Sequence, residues 1–191
     1  MFTKIIDKNI SLKLKDYQDN EAFFQLIDSS RDHLSSYMVW VKSVQSVGDV
    51  EKATRQHLLE YVNKQALHCL ILYKGEIAGS ISLQDINWST RSGEIGYWLG
   101  PDFTGLGIMT KAVSTLLDYA FMERDLHKVE IWAAEDNQKS RNIPKRLGFT
   151  QEGIRRDDEY INGKYLTMVI YGLLKDEWQR MEPNTKTKKD R

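Results

Sequence analysis

Cysteine is nearly absent from these 191 residues, with Cys69 the only one. One thiol can build neither a disulfide framework nor a cysteine-pair metal site. Cys69 lies in the run Leu67-His68-Cys69-Leu70-Ile71-Leu72 and reads as a buried strand residue. Charge of one sign is also missing, since 27 basic and 27 acidic side chains cancel. That excludes a broad electrostatic attraction to nucleic acid or membrane, although a local basic groove stays compatible with it. No run approaches the roughly 18 apolar residues of a membrane span. Met1 to Leu14 lacks the continuous apolar stretch of a signal peptide, so the expected location is the cytoplasm. Internal repeats are absent. His33, His57, His68 and His127 show no metal-ligand spacing, and no metal is expected.

What remains is ordinary for a globular chain: 41% hydrophobic and 28% charged residues. Domains usually run to about 100–200 residues, so one domain is expected, over 1–182, with a basic disordered tail at 183–191. Ile10 to Leu14 alternates with period two and predicts a first strand. Tyr17 to Ser30 predicts a helix with Ala22, Phe23, Leu26 and Ile27 on one face. A second helix is expected from about Gly48 to Ala66, capped by Asp49. Strands follow at Leu67–Tyr73, Glu76–Leu83 and Gly93–Leu99, the last stopped by Gly100-Pro101. Thr110 to Glu123 carries an apolar stripe at helical spacing. Lys128 to Ala133 predicts a strand, Ser140 to Leu147 a helix, and Phe149 onward a return to extended structure. Asn162-Gly163 predicts a tight hairpin before a closing strand at Leu166–Leu174. The order is mixed α/β.

The segment Thr104-Gly105-Leu106-Gly107-Ile108-Met109-Thr110 joins a strand to a helix. Its glycines allow positive φ and close approach of a ligand. The first helical turn adds unpaired N–H groups and the positive end of the helix dipole, which suits a pyrophosphate. A dinucleotide fingerprint would need glycine at Thr110, and a Walker loop would need Gly-Lys-Ser/Thr, which does not occur. Taken alone, the segment is equally readable as a tight strand–helix turn.

Downstream residues decide between the two. Asn137, Ser140, Leu147-Gly148-Phe149 and Glu152-Gly153, about 30 residues after the loop, resemble the second cofactor motif of the GNAT acetyltransferase superfamily. Gly96-Tyr97-Trp98-Leu99, Gly107-Ile108-Met109-Thr110, Glu159-Tyr160-Ile161-Asn162-Gly163 and Glu177-Trp178 resemble its RimJ/RimL type, which acetylates ribosomal-protein N-termini. The resemblance runs from the first strand to about Trp178. It departs from the superfamily at Thr104, where Gln or Arg is common, at Met109, where Gly or Ala is common, and at Pro144, which stands where a tyrosine general acid often stands.

This resemblance implies a single α/β (α+β) domain. It would hold a mixed, mostly antiparallel sheet of about seven strands flanked by helices, splayed between the fourth and fifth. It implies acetyl-CoA as cosubstrate, without a metal. The cofactor contacts would fall on Tyr97, Trp98, Leu99, Thr104, Gly105, Leu106, Gly107, Ile108, Met109, Thr110, Asn137 and Ser140. The strand at Tyr97-Trp98 would offer N–H groups to the thioester oxygen. Glu159 is the candidate base, directly or through water, and Ser140 the candidate acid or hydrogen-bond donor to the leaving sulfur. Glu159 is equally readable as a solvated strand residue, Ser140 as a helix N-cap, and Asn137 as a turn residue. Trp88, Trp98 and Trp132 are candidates to line an acceptor groove, although large aromatics more often fill a core.

The acceptor expected from the resemblance is a protein N-terminus. A small amine, such as a polyamine or an aminoglycoside, is the alternative within the enzyme class. A strongly acidic groove would favour the polyamine and a peptide-wide one the protein. A non-catalytic acyl-CoA-binding module is the alternative outside that class. Nucleic acid would have only the basic tail to contact, and a homodimer is compatible with the sequence.

Overall fold

The computed structural model describes residues 3–181. Its strands are β1 (Thr3–Ile5), β2 (Ile10–Leu14), β3 (Leu67–Tyr73), β4 (Glu76–Asn87), β5 (Ser92–Leu99), β6 (Lys128–Ala134), β7 (Thr150–Ile161) and β8 (Lys164–Leu174). Its helices are α1 (Asn20–Ser29), α2 (Arg31–Leu34), α3 (Val47–Val62), α4 (Ile108–Asp118), α5 (Gln138–Arg146) and α6 (Lys175–Met181). All eight strands form one sheet in the order β1-β2-β3-β4-β5-β6-β8-β7. Every neighbouring pair is antiparallel except β5 and β6, which run parallel.

Seven of these strands lie where the sequence reading expects them. The eighth is β1, whose three residues are all exposed and so leave no buried–exposed pattern to read. The gap expected between the fourth and fifth strands therefore opens between β5 and β6. Their register covers only Ser92↔Lys128, Gly93↔Val129 and Glu94↔Glu130. The expected tail at 183–191 lies outside the described residues.

A core packs on each face of the sheet. On one face α4 buries Ile108, Met109, Ala112, Val113, Leu116 and Leu117 against Ile71, Ile81, Ile95, Val129 and Ile131. On the other, Phe23 and Ile27 of α1 and Val50 of α3 meet Leu70 and Trp98. Thr54 of α3, fully buried, donates to Asn20 Oδ1 at 2.7 Å and so ties α3 to α1. Losing that hydroxyl would strand a buried acceptor, which costs about 1–3 kcal/mol.

Two expected starts are corrected. A 3₁₀ turn over Tyr17–Asp19 precedes α1, which begins at Asn20, and Ala22 is exposed rather than buried. The cap of α3 is Ser46, not Asp49. Ser46 Oγ accepts from the Asp49 N–H at 3.3 Å, while the Asp49 carboxylate accepts from Ser46 Oγ at 2.8 Å and from the Gln45 N–H at 3.2 Å. Ser46 and Asp49, three residues apart, bond reciprocally across the first turn.

His57 of α3 stacks on His68 of β3, with ring centroids 3.7 Å apart and planes 11° from parallel. Burial first, then the neighbouring His68 and Lys15, pull the His57 pKa from 6.5 to about 3. Between those values the unfolded chain holds a proton that the folded chain does not, so stability falls as pH falls through that window. We expect a lower Tm at about pH 5 than at about pH 7. His57→Phe, which keeps a flat ring on His68, should narrow the difference, as measured by thermal denaturation at both pH values.

Candidate active site

The end of β5 and the turn that follows it form the first wall of the site. After Leu99 the chain passes through Gly100 and a 3₁₀ turn at Pro101–Phe103, then Gly105 and Gly107 at φ 78° and 73°. Gly107 is the N-cap of α4 and supplies no side chain to cap it. The N–H groups of the first turn are therefore left for a ligand. A Cβ added at Gly105 or Gly107 would meet no protein atom within 4 Å. The fold itself does not need that space empty, whereas an anion approaching the backbone does. Ile108 and Met109 turn their side chains into the core, so the Met109 side chain does not obstruct its own N–H. Leu106 is exposed, and Thr104 Oγ1 is turned back onto the Pro101 carbonyl at 2.9 Å. Residues 104–110 thus fit a pyrophosphate through their backbone rather than through side chains.

β5 lines the widening gap. The Gly100 N–H donates to the Ala78 carbonyl at 2.9 Å. Antiparallel alternation then turns the N–H and C=O of Trp98, opposite Ser80, toward β4. The same alternation turns those of Tyr97 and Leu99 toward the side where β6 has departed. Among the described residues, β5 and β6 share no register pair beyond Glu94 and Glu130. So Tyr97 and Leu99 can offer free N–H groups, while Trp98 spends its own within the sheet. The Trp98 side chain is 8% exposed and packs on Phe23 and Trp40 at 5.5 and 6.0 Å between centroids.

Across the gap, α5 presents its N-terminal turn. Asn137 is its N-cap, with Oδ1 accepting from the Ser140 N–H at 3.1 Å. Ser140 is therefore not the cap. Its hydroxyl donates to Tyr97 Oη at 3.3 Å, and Tyr97 Oη donates to the Ser140 carbonyl at 3.1 Å. Arg141 anchors the same helix, reaching Tyr171 Oη at 3.0 Å and the Glu135 carbonyl at 2.8 Å.

At the vertex, where the two strands part, sits a carboxyl that no motif marks. Glu94 is paired in register with Glu130. Burial, then Asp85 and Glu130, push its pKa up to about 7 against a pull from Gln84, and Glu159 adds the smallest push. Ser82 Oγ donates to Gln84 Oε1 at 2.9 Å, and Gln84 Nε2 reaches Glu94 Oε1 at 3.5 Å. For Glu130 burial acts upward but is outweighed. Lys128 at 2.7 Å and Trp132 Nε1 at 3.0 Å hold it below the usual carboxylate range. Two adjacent carboxyls are thus driven apart, one kept ionised and one poised near neutrality, as acid–base sites require.

Glu159 stands near this pair, half-buried on β7 just past a bulge at Arg155/Glu159, and burial followed by Asp158 raises its pKa. Trp132 is half-buried beside Glu130 with Arg155 over its ring at 4.9 Å. Trp88 lies away from the gap, bonded to the Lys64 carbonyl at 3.0 Å and covered by Arg124. Of the three tryptophans, Trp132 alone borders the carboxyl cluster. A carboxylate at Glu94 within the apolar run Gly93 to Leu99 is the one sequence signal that could have found the vertex, and the sequence reading passed over it. Among the described residues, no group of His, Cys, Asp and Glu is arranged to hold a metal ion.

Comparison with known proteins gives the family and the overall fold. A family model described as an acetyltransferase (GNAT) domain matches residues 11–150. The "Putative ribosomal N-acetyltransferase YdaF" of Bacillus subtilis is 36% identical over 180 residues, 94% of this chain and 98% of that protein. The structure of RimL, a ribosomal L7/L12 alpha-N-protein acetyltransferase in complex with coenzyme A, superposes with a TM-score of 0.89 at 27% identity, covering 92% of this chain and 99% of that one. Microcin C7 self-immunity acetyltransferase MccE, in complex with acetyl-CoA and AMP, gives 0.83 at 29%, covering 88% and 94%.

Proposed function

The chain belongs to the GNAT acetyltransferase family, and from that premise we propose that it moves an acetyl group from acetyl-CoA to the α-amine of a protein N-terminus. The observation that carries this reading is the parting of β5 from β6 at Glu94, a carboxyl titrating at about 7, with the uncapped turn of α4 beyond it. Acetyl-CoA, when bound, supplies an activated acetyl thioester.

The chain's own residues then have separable tasks. The backbone of residues 104–110 holds the pyrophosphate, and the N–H groups of Tyr97 and Leu99 hold the pantetheine and the thioester oxygen. A protein α-amine has a pKa of about 7.7–8, against about 10.4 for lysine, so a base near 7 suffices for the former. Glu94 takes the amine proton as the N–C bond forms, directly or through water. Glu159 lies beside the Glu94–Glu130 pair, and its charge adds a small upward push to the Glu94 pKa. The C–S bond breaks with its electron pair on sulfur, and the Ser140 hydroxyl donates to that sulfur. Asn137 fixes the turn that carries Ser140. The relatives named for ribosomal-protein acetylation favour a protein acceptor.

One observation favours a second reading. Asp85, Glu130 and Glu159 all act electrostatically on Glu94, and acidic groups gathered this way would also suit a polyamine. In either case, isothermal titration should show acetyl-CoA binding, and CoA-thiol release should require an added amine. Binding without amine-dependent release would replace the enzyme by a binding module.

A further inference from the structure

We propose that Tyr97 is a positioning residue for the Ser140 hydroxyl, and that it takes this role because Pro144 leaves the Ser140 carbonyl without its helical partner. The proposal rests on the acetyl-transfer reading of the same site. In α5 the carbonyl of Ser140 would accept from the N–H of residue 144, and that residue is a proline within the helix. Proline has no N–H to give, and its ring crowds the carbonyl four residues earlier. A half-buried carbonyl without a partner is costly. The phenol of Tyr97 supplies the missing donor, 3.1 Å from the Ser140 carbonyl oxygen.

The contact crosses the gap between the strands. Tyr97 belongs to β5 at a position beyond the last β5–β6 pair, and Ser140 lies 43 residues further along the chain. The same phenol oxygen accepts from Ser140 Oγ at 3.3 Å, while Asn137 holds the Ser140 N–H at 3.1 Å. Donor, acceptor and side-chain hydroxyl of one serine are thus all fixed. Burial raises the phenol's pKa, so it stays protonated and keeps its donor. When negative charge develops on the sulfur, the Ser140 hydroxyl can swing to it without the main chain moving, because the Tyr97 O–H remains on the carbonyl. Pro144 and Tyr97 are in this sense one device, for the residue that displaces a tyrosine from α5 creates the need that a tyrosine on β5 fills.

Two double-mutant cycles test this. In turnover, Tyr97→Phe and Ser140→Ala are each expected to lower kcat ~10-fold with little change in the KM for acetyl-CoA. The double variant should be no slower than Ser140→Ala alone, because contacting residues are non-additive. In ligand-free protein, Tyr97→Phe should lower Tm by roughly 2–4 °C. In a Pro144→Ala background the loss should shrink, since that substitution returns a backbone N–H to the Ser140 carbonyl. Losses in kcat that multiply, or a Tm loss that is the same with and without Pro144, would overturn the proposal. A wild-type protein that released no CoA thiol with any amine would overturn the acetyl-transfer reading, and the stability cycle would still decide the hydrogen bond.

Discussion

Replacing Gly107 by alanine is expected to weaken acetyl-CoA binding ~10–100-fold while lowering Tm by only a few degrees. The two effects come from different atoms. Gly107 has φ 73°, and an L-residue held there costs roughly 1–2 kcal/mol, which for a domain of this size is about 2–8 °C. The new methyl would meet no protein atom within 4 Å, so no packing is lost. It would instead stand where the pyrophosphate approaches the α4 N-terminus. Losing one charge-assisted hydrogen bond there costs about 1.5–3 kcal/mol, each 1.4 kcal/mol being tenfold in Kd. Isothermal titration beside a melting curve separates the two. A lowered Tm with an unchanged Kd would place the phosphates away from this loop.

Glu94→Gln is expected to lower kcat/KM ~10²–10⁴-fold, the usual contribution of a general base. In the wild type, Glu94 loses its proton at about 7, so kcat/KM should rise with pH through that value, and the variant should lose that limb and keep only the rise set by the α-amine at about 7.7–8. Glu159→Gln is expected to cost much less than Glu94→Gln, because Glu159 is the weakest of the charges acting on Glu94. It should also move the limb to lower pH, because removing an adjacent negative charge lets Glu94 ionise more easily. Both pH–rate profiles are needed. A larger loss at Glu159, with the limb abolished there and kept in Glu94→Gln, would make Glu159 the base and Glu94 its electrostatic neighbour.

The scaffold was largely legible in the sequence, and the vertex of the site was not. Period-two alternation located β2, short apolar-rich runs bounded by turn residues located β3 through β6 and β8, and Asn162-Gly163 located the last hairpin, where both residues have positive φ. The glycine loop was visible because positive φ restricts which residues can occupy it, and Asn137 and Ser140 because they resemble the second cofactor motif of the GNAT superfamily. The short α2 and α6, and the 3₁₀ turn at Val39–Ser43, offer too few residues to show a helical period. Glu94 escaped for another reason. Its chemistry comes from burial and from Asp85, Glu130 and Glu159, which lie at other points of the chain. The same holds for Tyr97, whose backbone could be placed from the strand pattern but whose hydroxyl partner lies across the gap. Alternation of the N–H direction, which separates Tyr97 and Leu99 from Trp98, depends on which neighbour each edge faces. That is a property of strand order rather than of local sequence.

Transfer to a protein α-amine is the central claim, and the acceptor tests it most directly. CoA-thiol release would be followed with acetyl-CoA and three matched acceptors: a peptide with a free N-terminus, the same peptide blocked there but carrying lysine, and a polyamine. Turnover is expected with the free N-terminus and little with the blocked peptide, because a base titrating near 7 matches an α-amine and not a lysine. Turnover with the polyamine and none with the free N-terminus would contradict that claim, and would make the carboxyls around Glu94 the recognition site of a small polycation.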